Sequence, residues 1–309
     1  MHSIMKACLS RAHRFEWRRL WLWVGIGLTG GCLSAIGVIV YRERVVLVQY
    51  IQAADVTHLP KTLGWYTAAL AIHVIAWASI LDNLGNRIRF LDHLWIFCLS
   101  NAAKRLPGTL WYLGGRAVLY ARKGVPIRSV MLASGIEAAL IGLSGILVAV
   151  LFLLASRSDL GGLWTSIGAV LVCGALNPWT LRRIGGYAAR RDMHFPVKLW
   201  YLWIALYAAS WVMGGFLLSS VLSVFQPISL GQRLAIIGIW ALSGVLSMLV
   251  IIFPSNLGVM EISLTTLLSA MVPIGLATLA AISMRVLTTV LDLLWGGLAV
   301  LLSRASTSD

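Results

Sequence analysis

Two short stretches hold most of the residues in this 309-residue chain that can do chemistry in an apolar setting. The first, NAAKRLPGTLWYLGGR, places Asn101, Lys104 and Arg105 before Pro107 and Gly108, with Gly115 and Arg116 after them. The second, FPSNLGVME, carries Pro254, Asn256, Gly258 and Glu261. Each is followed by an apolar run that bears charge, Glu137 after the first and Arg285 then Asp292 after the second. A proline-glycine break frees backbone amides and carbonyls that a continuous helix would pair with itself. Beside them, lysine and arginine offer charge-assisted hydrogen bonds to a phosphate. Binding of a polar, anionic group is the chemistry these types suit. Acid-base catalysis has one plausible carboxylate couple, Glu137 with Glu261, and no recognisable catalytic motif accompanies it.

The same residues admit structural roles. Lys104 and Arg105 can snorkel or pair with protein carbonyls, and Arg116 with Glu137 can be a structural ion pair. Asp292 falls seven residues after Arg285 on one helical face, as in-helix support or part of a proton path. If each charge is counted from the start of its own helix, Glu137 lies ~12 Å deep and Arg285 ~15 Å. With the helices running in opposite directions, the two are expected to be partners. The four cysteines and six histidines are scattered, with no CxxC or HExxH among them, so no metal and no cofactor is expected.

The elements that must hold these groups are membrane helices. With 59% hydrophobic residues and 12% charged, the chain reads as an all-α polytopic membrane protein, and its longest polar stretches leave no room for a soluble catalytic domain. A net charge of +14 invites a nucleic-acid reading, but the cations flank apolar runs, where the positive-inside rule explains them and no nucleic acid is needed. Expected spans are Leu20 to Val40, Leu63 to Leu81, Ser129 to Ala155, Leu160 to Leu176, Leu199 to Phe225 and Leu276 to Leu302. Residues 1–19 form a basic segment, 41–62 a mixed-charge loop with room for an interfacial helix, and 303–309 a tail. Gly27 and Gly31 offer a small-residue face to a neighbouring helix, as do Gly135, Gly142 and Gly145.

The two broken stretches behave differently from the spans. Leu94 to Arg105 and Leu110 to Ala121 are twelve residues each, ~18 Å of helix against a ~30 Å hydrocarbon core. They read as a re-entrant hairpin with Pro107 and Gly108 at its tip. From Leu230 the pattern recurs, an apolar arm to Ile252, a break, and a second arm to Met271. Pro107 precedes Glu137 by thirty residues and Pro254 precedes Arg285 by thirty-one, with the charge signs reversed. The expected fold is therefore about six crossing helices plus two re-entrant hairpins, in halves 63–155 and 199–302 of a transmembrane domain spanning 20–302, related as a weak inverted repeat. On that count sixteen lysines and arginines lie inside and five outside, which sets both termini and the basic loop 182–198 in the cytoplasm of a plasma (inner) membrane protein.

The ordered pattern N-x5-P-G, G-G-R, an acid in the next span, and later P-x3-G-V-x-E resembles the flippase-like integral membrane family, which includes the transmembrane region of lysylphosphatidylglycerol synthase. The matching residues are Asn101, Pro107, Gly108, Gly115, Arg116 and Glu137, then Pro254, Gly258, Val259 and Glu261, with Arg285 and Asp292 in the last span. Two departures stand out: Ala138 follows Glu137 where the family often has arginine, and FPSNLG replaces a more glycine-rich break. The resemblance implies a non-enzymatic translocator with membrane lipids as partners. It would move an anionic or modified phospholipid, a glycolipid or a polyprenyl-linked lipid between leaflets. Two alternatives stay open, an intramembrane enzyme of lipid or glycan modification and a non-catalytic partner of a lipid-modifying or glycosyl-transferring enzyme.

Overall fold

The computed structural model describes residue 27 and residues 30–104, 111–156, 197–249 and 258–305. All regular structure among them is helical. We number the helices α1 (residues 30–52), α2 (Leu59–Asn83), α3 (Phe90–Ala103), α4 (Trp111–Ala121), α5 (Ile127–Ala155), α6 (Val197–Ser223), α7 (Leu230–Leu249), α8 (Val259–Leu268) and α9 (Ile274–Ala305). Among the described residues, five stretches are long and apolar enough to cross a membrane: Val56–Asn83, Ile127–Ala155, Leu199–Ser223, Leu230–Met248 and Ile274–Leu301. Over the described residues the chain is an all-α membrane protein. The expected span Leu160 to Leu176 and residues 182–196 of the basic loop lie outside the described residues, as do residues 20–26, 28 and 29 of Leu20 to Val40, while Val197 and Lys198 open α6.

Local chemistry accounts for the helix ends. Asp55 accepts hydrogen bonds from the Thr57 amide and hydroxyl, closing a 3-10 turn (Val56–His58) that leads into α2, with Pro60 in its first turn. The α4 helix stops at Gly124, whose φ of +80° lets Val125 N–H reach the Tyr120 carbonyl while Gly124 N–H reaches Ala121. This is a Schellman closure, with buried Val125 packed into the same core as Tyr120. Pro126 then forbids continuation and caps α5. Ser229 and Gln232 cap the start of α7 reciprocally, each side chain accepting from the other's amide.

The first broken segment has two short arms. At 14 and 11 residues, α3 and α4 reach ~21 Å and ~16 Å, so neither spans alone. In the second, α8 is as short, at 10 residues, but α7 covers 20 residues of the expected arm Leu230 to Ile252, a length that can cross where a re-entrant arm was expected. The two broken segments are thus unequal. A second boundary also moves: helix α1 continues through residues 41–52, where a loop was expected, because Tyr41 to Ile51 is almost continuously helix-compatible and contains no proline or glycine.

Packing gathers the described interior into two large clusters and a smaller third, Val148, Ala149, Ile237 and Ala241, where α5 and α7 meet against α6. One large core joins α2, α3, α4, the first half of α5, the start of α6 and the end of α9 around Trp77, Phe97, Tyr120 and Trp203. The other joins the end of α6 with α7, α8 and the start of α9 around Leu218, Leu264 and Leu276. Glycines let α5, α6 and α7 approach closely: a Cβ on Gly145 would lie 2.6 Å from a Val245 methyl, and one on Gly215 would lie 2.6 Å from the Ile237 Cα. The other expected contact glycines differ. Gly27, Gly31, Gly135 and Gly142 have nothing within 4 Å, so small size at those positions serves no helix contact among the described residues.

Candidate functional site

The hairpin base is fastened before its charges are placed. Lys123, just past α4, reaches Asp92 at the start of α3 at 2.7 Å, and the Trp95 indole donates to the same carboxylate at 3.0 Å. Burial raises the Asp92 pKa, but hydrogen bonds from Lys123 and Trp95 outweigh it and hold the group below its ordinary value. Above this base, His93 and Trp77 both bond the Tyr120 hydroxyl, at 3.0 and 2.7 Å, tying α2, α3 and α4 together.

Arg116 sits within that clamp, fully buried. Its Nη1 donates to Glu137 Oε2 at 2.7 Å, and its guanidinium carbon lies 4.2 Å from the Trp77 ring centroid and 4.6 Å from that of Phe97. An arginine desolvated between two aromatic faces and a carboxylate is strongly held. In the second half the equivalent pair is looser. Glu261, three residues into α8, accepts the Gly258 N–H at 2.8 Å through Oε2 and meets Arg285 of α9 at 3.4 Å through Oε1. Gly258 caps α8 with φ +92°, a conformation that side chains other than glycine seldom adopt.

These pairings correct the expected partnership of Glu137 with Arg285. Each charge on the arm after a break pairs instead with the charge on the next helix of its own half. The reason lies in connectivity. A short connection returns the chain antiparallel against the arm it has just left, so a charge 21 or 24 residues on meets its counterpart before anything in the other half can. The sign reversal read from the sequence is retained, with arginine then glutamate in the first half and glutamate then arginine in the second.

Between the two cores lies a cavity of about 340 Å³. The first half contributes His73, Asn101 and Lys104 to its wall, and the second contributes Glu261, Arg285 and Asp292. Tyr66 and the Trp211 and Trp240 indoles complete a partly aromatic lining. The Tyr66 hydroxyl donates to Asp292, so Asp292 has a partner on α2 as well as its place on the α9 face. Lys104 lies 4.9 Å over the Tyr112 ring, and Asn101 has a buried side-chain oxygen with no hydrogen-bond partner. Five expected site residues thus converge: Asn101, Lys104, Glu261, Arg285 and Asp292.

The others do not. Arg116 and Glu137 stand behind the wall in the first core, Gly115 is exposed on α4, and Gly258 is buried at the α8 cap, its Cβ position 2.4 Å from Cys32 Cβ. Arg105, Pro107, Gly108, Pro254 and Asn256 lie outside the described residues. His73 was missed. It lies mid-span in α2, with its ring 5.3 Å from Tyr207 in an edge-on contact, and a histidine inside an apolar span is itself a signal. Trp211 and Trp240 carried none, because tryptophan is common in membrane helices. The carboxylate couple is also unfavoured by geometry: Glu137 and Glu261 each face an arginine of their own half. No protein-family model matches the chain, and no curated protein matches it.

Proposed function

We propose that the chain moves a lipid between membrane leaflets, its substrate an anionic or modified phospholipid, a glycolipid or a polyprenyl-linked lipid. One observation carries this reading: a cavity between two half-domains, lined from both sides by charged groups next to interrupted helices. A translocator has to shelter a polar headgroup from hydrocarbon while the acyl chains stay in lipid. Ionisable side chains inside apolar spans are costly, and they are retained where they line a path or pair with each other. On this reading the protein sits in the plasma (inner) membrane with both termini cytoplasmic and the first hairpin entering from the cytoplasm, while α7 is long enough to cross. The shortness of α3 and α4 supports the re-entrant reading of the first segment.

Purified protein in liposomes carrying a trace of dye-labelled phosphatidylglycerol tests the reading. A membrane-impermeant quencher added outside should bleach about half of the dye in empty liposomes and nearly all of it when translocator is present. Extraction of the lipid afterwards should show it chemically unchanged. Quenching that stays at the empty-liposome level in a correctly folded preparation would remove the reading, and a modified lipid would replace it with an intramembrane enzyme.

A further inference from the structure

The two ion pairs are not equivalent, and their difference assigns roles. Arg116 makes a 2.7 Å bond to Glu137, is fully buried between aromatic rings, and does not line the cavity. Arg285 is the opposite case. It lines the cavity with 27% of its side chain exposed, and its contact to Glu261 is 3.4 Å, well beyond the ~2.8 Å of a tight charge-assisted bond. Glu261 has a second anchor in the Gly258 amide at 2.8 Å, at the positive end of helix α8. A carboxylate held in this way loses little when a guanidinium turns from it. Lys104 and Asn101 face the same cavity from the other half, so an anion held there is approached by cations from both sides.

We propose that Arg285 takes the phosphodiester of the translocated lipid, and that Glu261 is the internal anion which that phosphodiester replaces. This rests on the lipid-transport reading and adds to it a phosphate-bearing substrate and an exchange of counter-ions. The carboxylate satisfies Arg285 inside an apolar span, and a competing phosphate displaces it without leaving either acid or base unpaired. Glu261 therefore sets how tightly lipid is held, and weaker holding speeds release into the far leaflet. Arg116 and Glu137 have no part in the exchange.

The test measures binding and movement separately. Detergent-solubilised full-length protein is titrated with dihexanoyl-phosphatidylglycerol, with dihexanoylglycerol and inorganic phosphate as control probes, and binding is read from the shift in thermal unfolding. Wild type should bind the phospholipid and neither control. Arg285→Gln should bind about 30-fold or more weakly. Arg285→Lys, which keeps the charge but loses the planar fork, should fall about tenfold. Glu261→Gln retains an acceptor for the Gly258 amide, removes the carboxylate charge that competes with phosphate beside Arg285, and should bind about fivefold or more tightly while moving lipid more slowly. Wild-type affinity in a folded Arg285→Gln protein overturns the assignment. Glu261→Gln binding that is unchanged or weaker overturns the exchange, and equal binding of inorganic phosphate shows that a free anion, not a lipid, is the ligand. If wild type binds phospholipid through Arg285 but moves none in liposomes, the transport reading fails and the binding site stands. If lipid moves equally well with Arg285→Gln, the transport reading stands and the site falls.

Discussion

At the scale of single residues, the decisive fact is that two arginines of similar sequence setting have opposite surroundings. Arg116 is enclosed, and Arg285 faces a cavity. Removing one member of a buried pair leaves the other charged and unsolvated, which costs about 3–5 kcal/mol. Glu137→Gln should therefore lower the thermal midpoint of the purified protein by several degrees, and Arg116→Ala should lower yield of folded material rather than selectively stop transport. The exchange Arg116→Glu with Glu137→Arg should regain part of what either reversal loses. Melting curves for all four proteins check this, and a double variant no more stable than the worse single one would show that the two charges are not energetically coupled. The pairing itself was half legible. An ion pair of Arg116 with Glu137 is one reading of the sequence and is found, whereas the pairing of Glu137 with Arg285 is not, because depth counting ignores which helix folds back first.

Among elements, two glycines with positive φ offer a contrast. Gly124 has nothing within 4 Å of a would-be Cβ, whereas Gly258 has Cys32 Cβ at 2.4 Å. Gly124→Ala should cost about 1 kcal/mol from backbone strain alone. Gly258→Ala should cost clearly more, since strain and overlap add and the displaced cap also carries Glu261. Denaturation of the two variants side by side decides it; equal losses would mean that the Cys32 contact gives way freely. The hairpin base gives a pH prediction. The Asp92 pKa is held below its ordinary value in the folded protein, so its contribution is present above the unfolded carboxylate pKa and is lost as pH falls through the depressed one. The gap in thermal midpoint between wild type and Asp92→Asn should close as the buffer is taken from neutral to strongly acidic. A gap that is constant with pH would place the effect in packing. The short arms of the first break and the apolar arm from Leu230 could be read directly from the chain, whereas whether that arm is long enough to cross or only to re-enter could not, because an apolar run carries no mark of where a membrane ends.

For the molecule as a whole, the prediction is topological. Single cysteines placed at positions 58 and 190 in an otherwise cysteine-free protein should label differently in intact cells, the first with an impermeant maleimide and the second only after permeabilisation. The reverse pattern would invert the orientation and with it the side from which the first hairpin enters. The close approach of α6 and α7 carries a further prediction. Gly215→Leu, which drives a side chain into the Ile237 backbone, should disrupt α6 against α7 and lower stability by several kcal/mol. A near-normal melting temperature would show that these helices can separate without cost.

The sequence by itself determined that this is an all-helical membrane protein with broken helices and a few intramembrane charges, because apolar length, proline-glycine breaks and isolated ions are local properties written residue by residue. It also carried the sign reversal between halves, since that needs only order and spacing. Only the tertiary structure decided which charges meet, that Arg116 is walled off while Arg285 borders a cavity, and that His73 and two tryptophans join that wall. Those are properties of how helices pack side by side. A helix face becomes a cavity wall or a buried contact according to its neighbour, and no stretch of one chain specifies its neighbour without the fold.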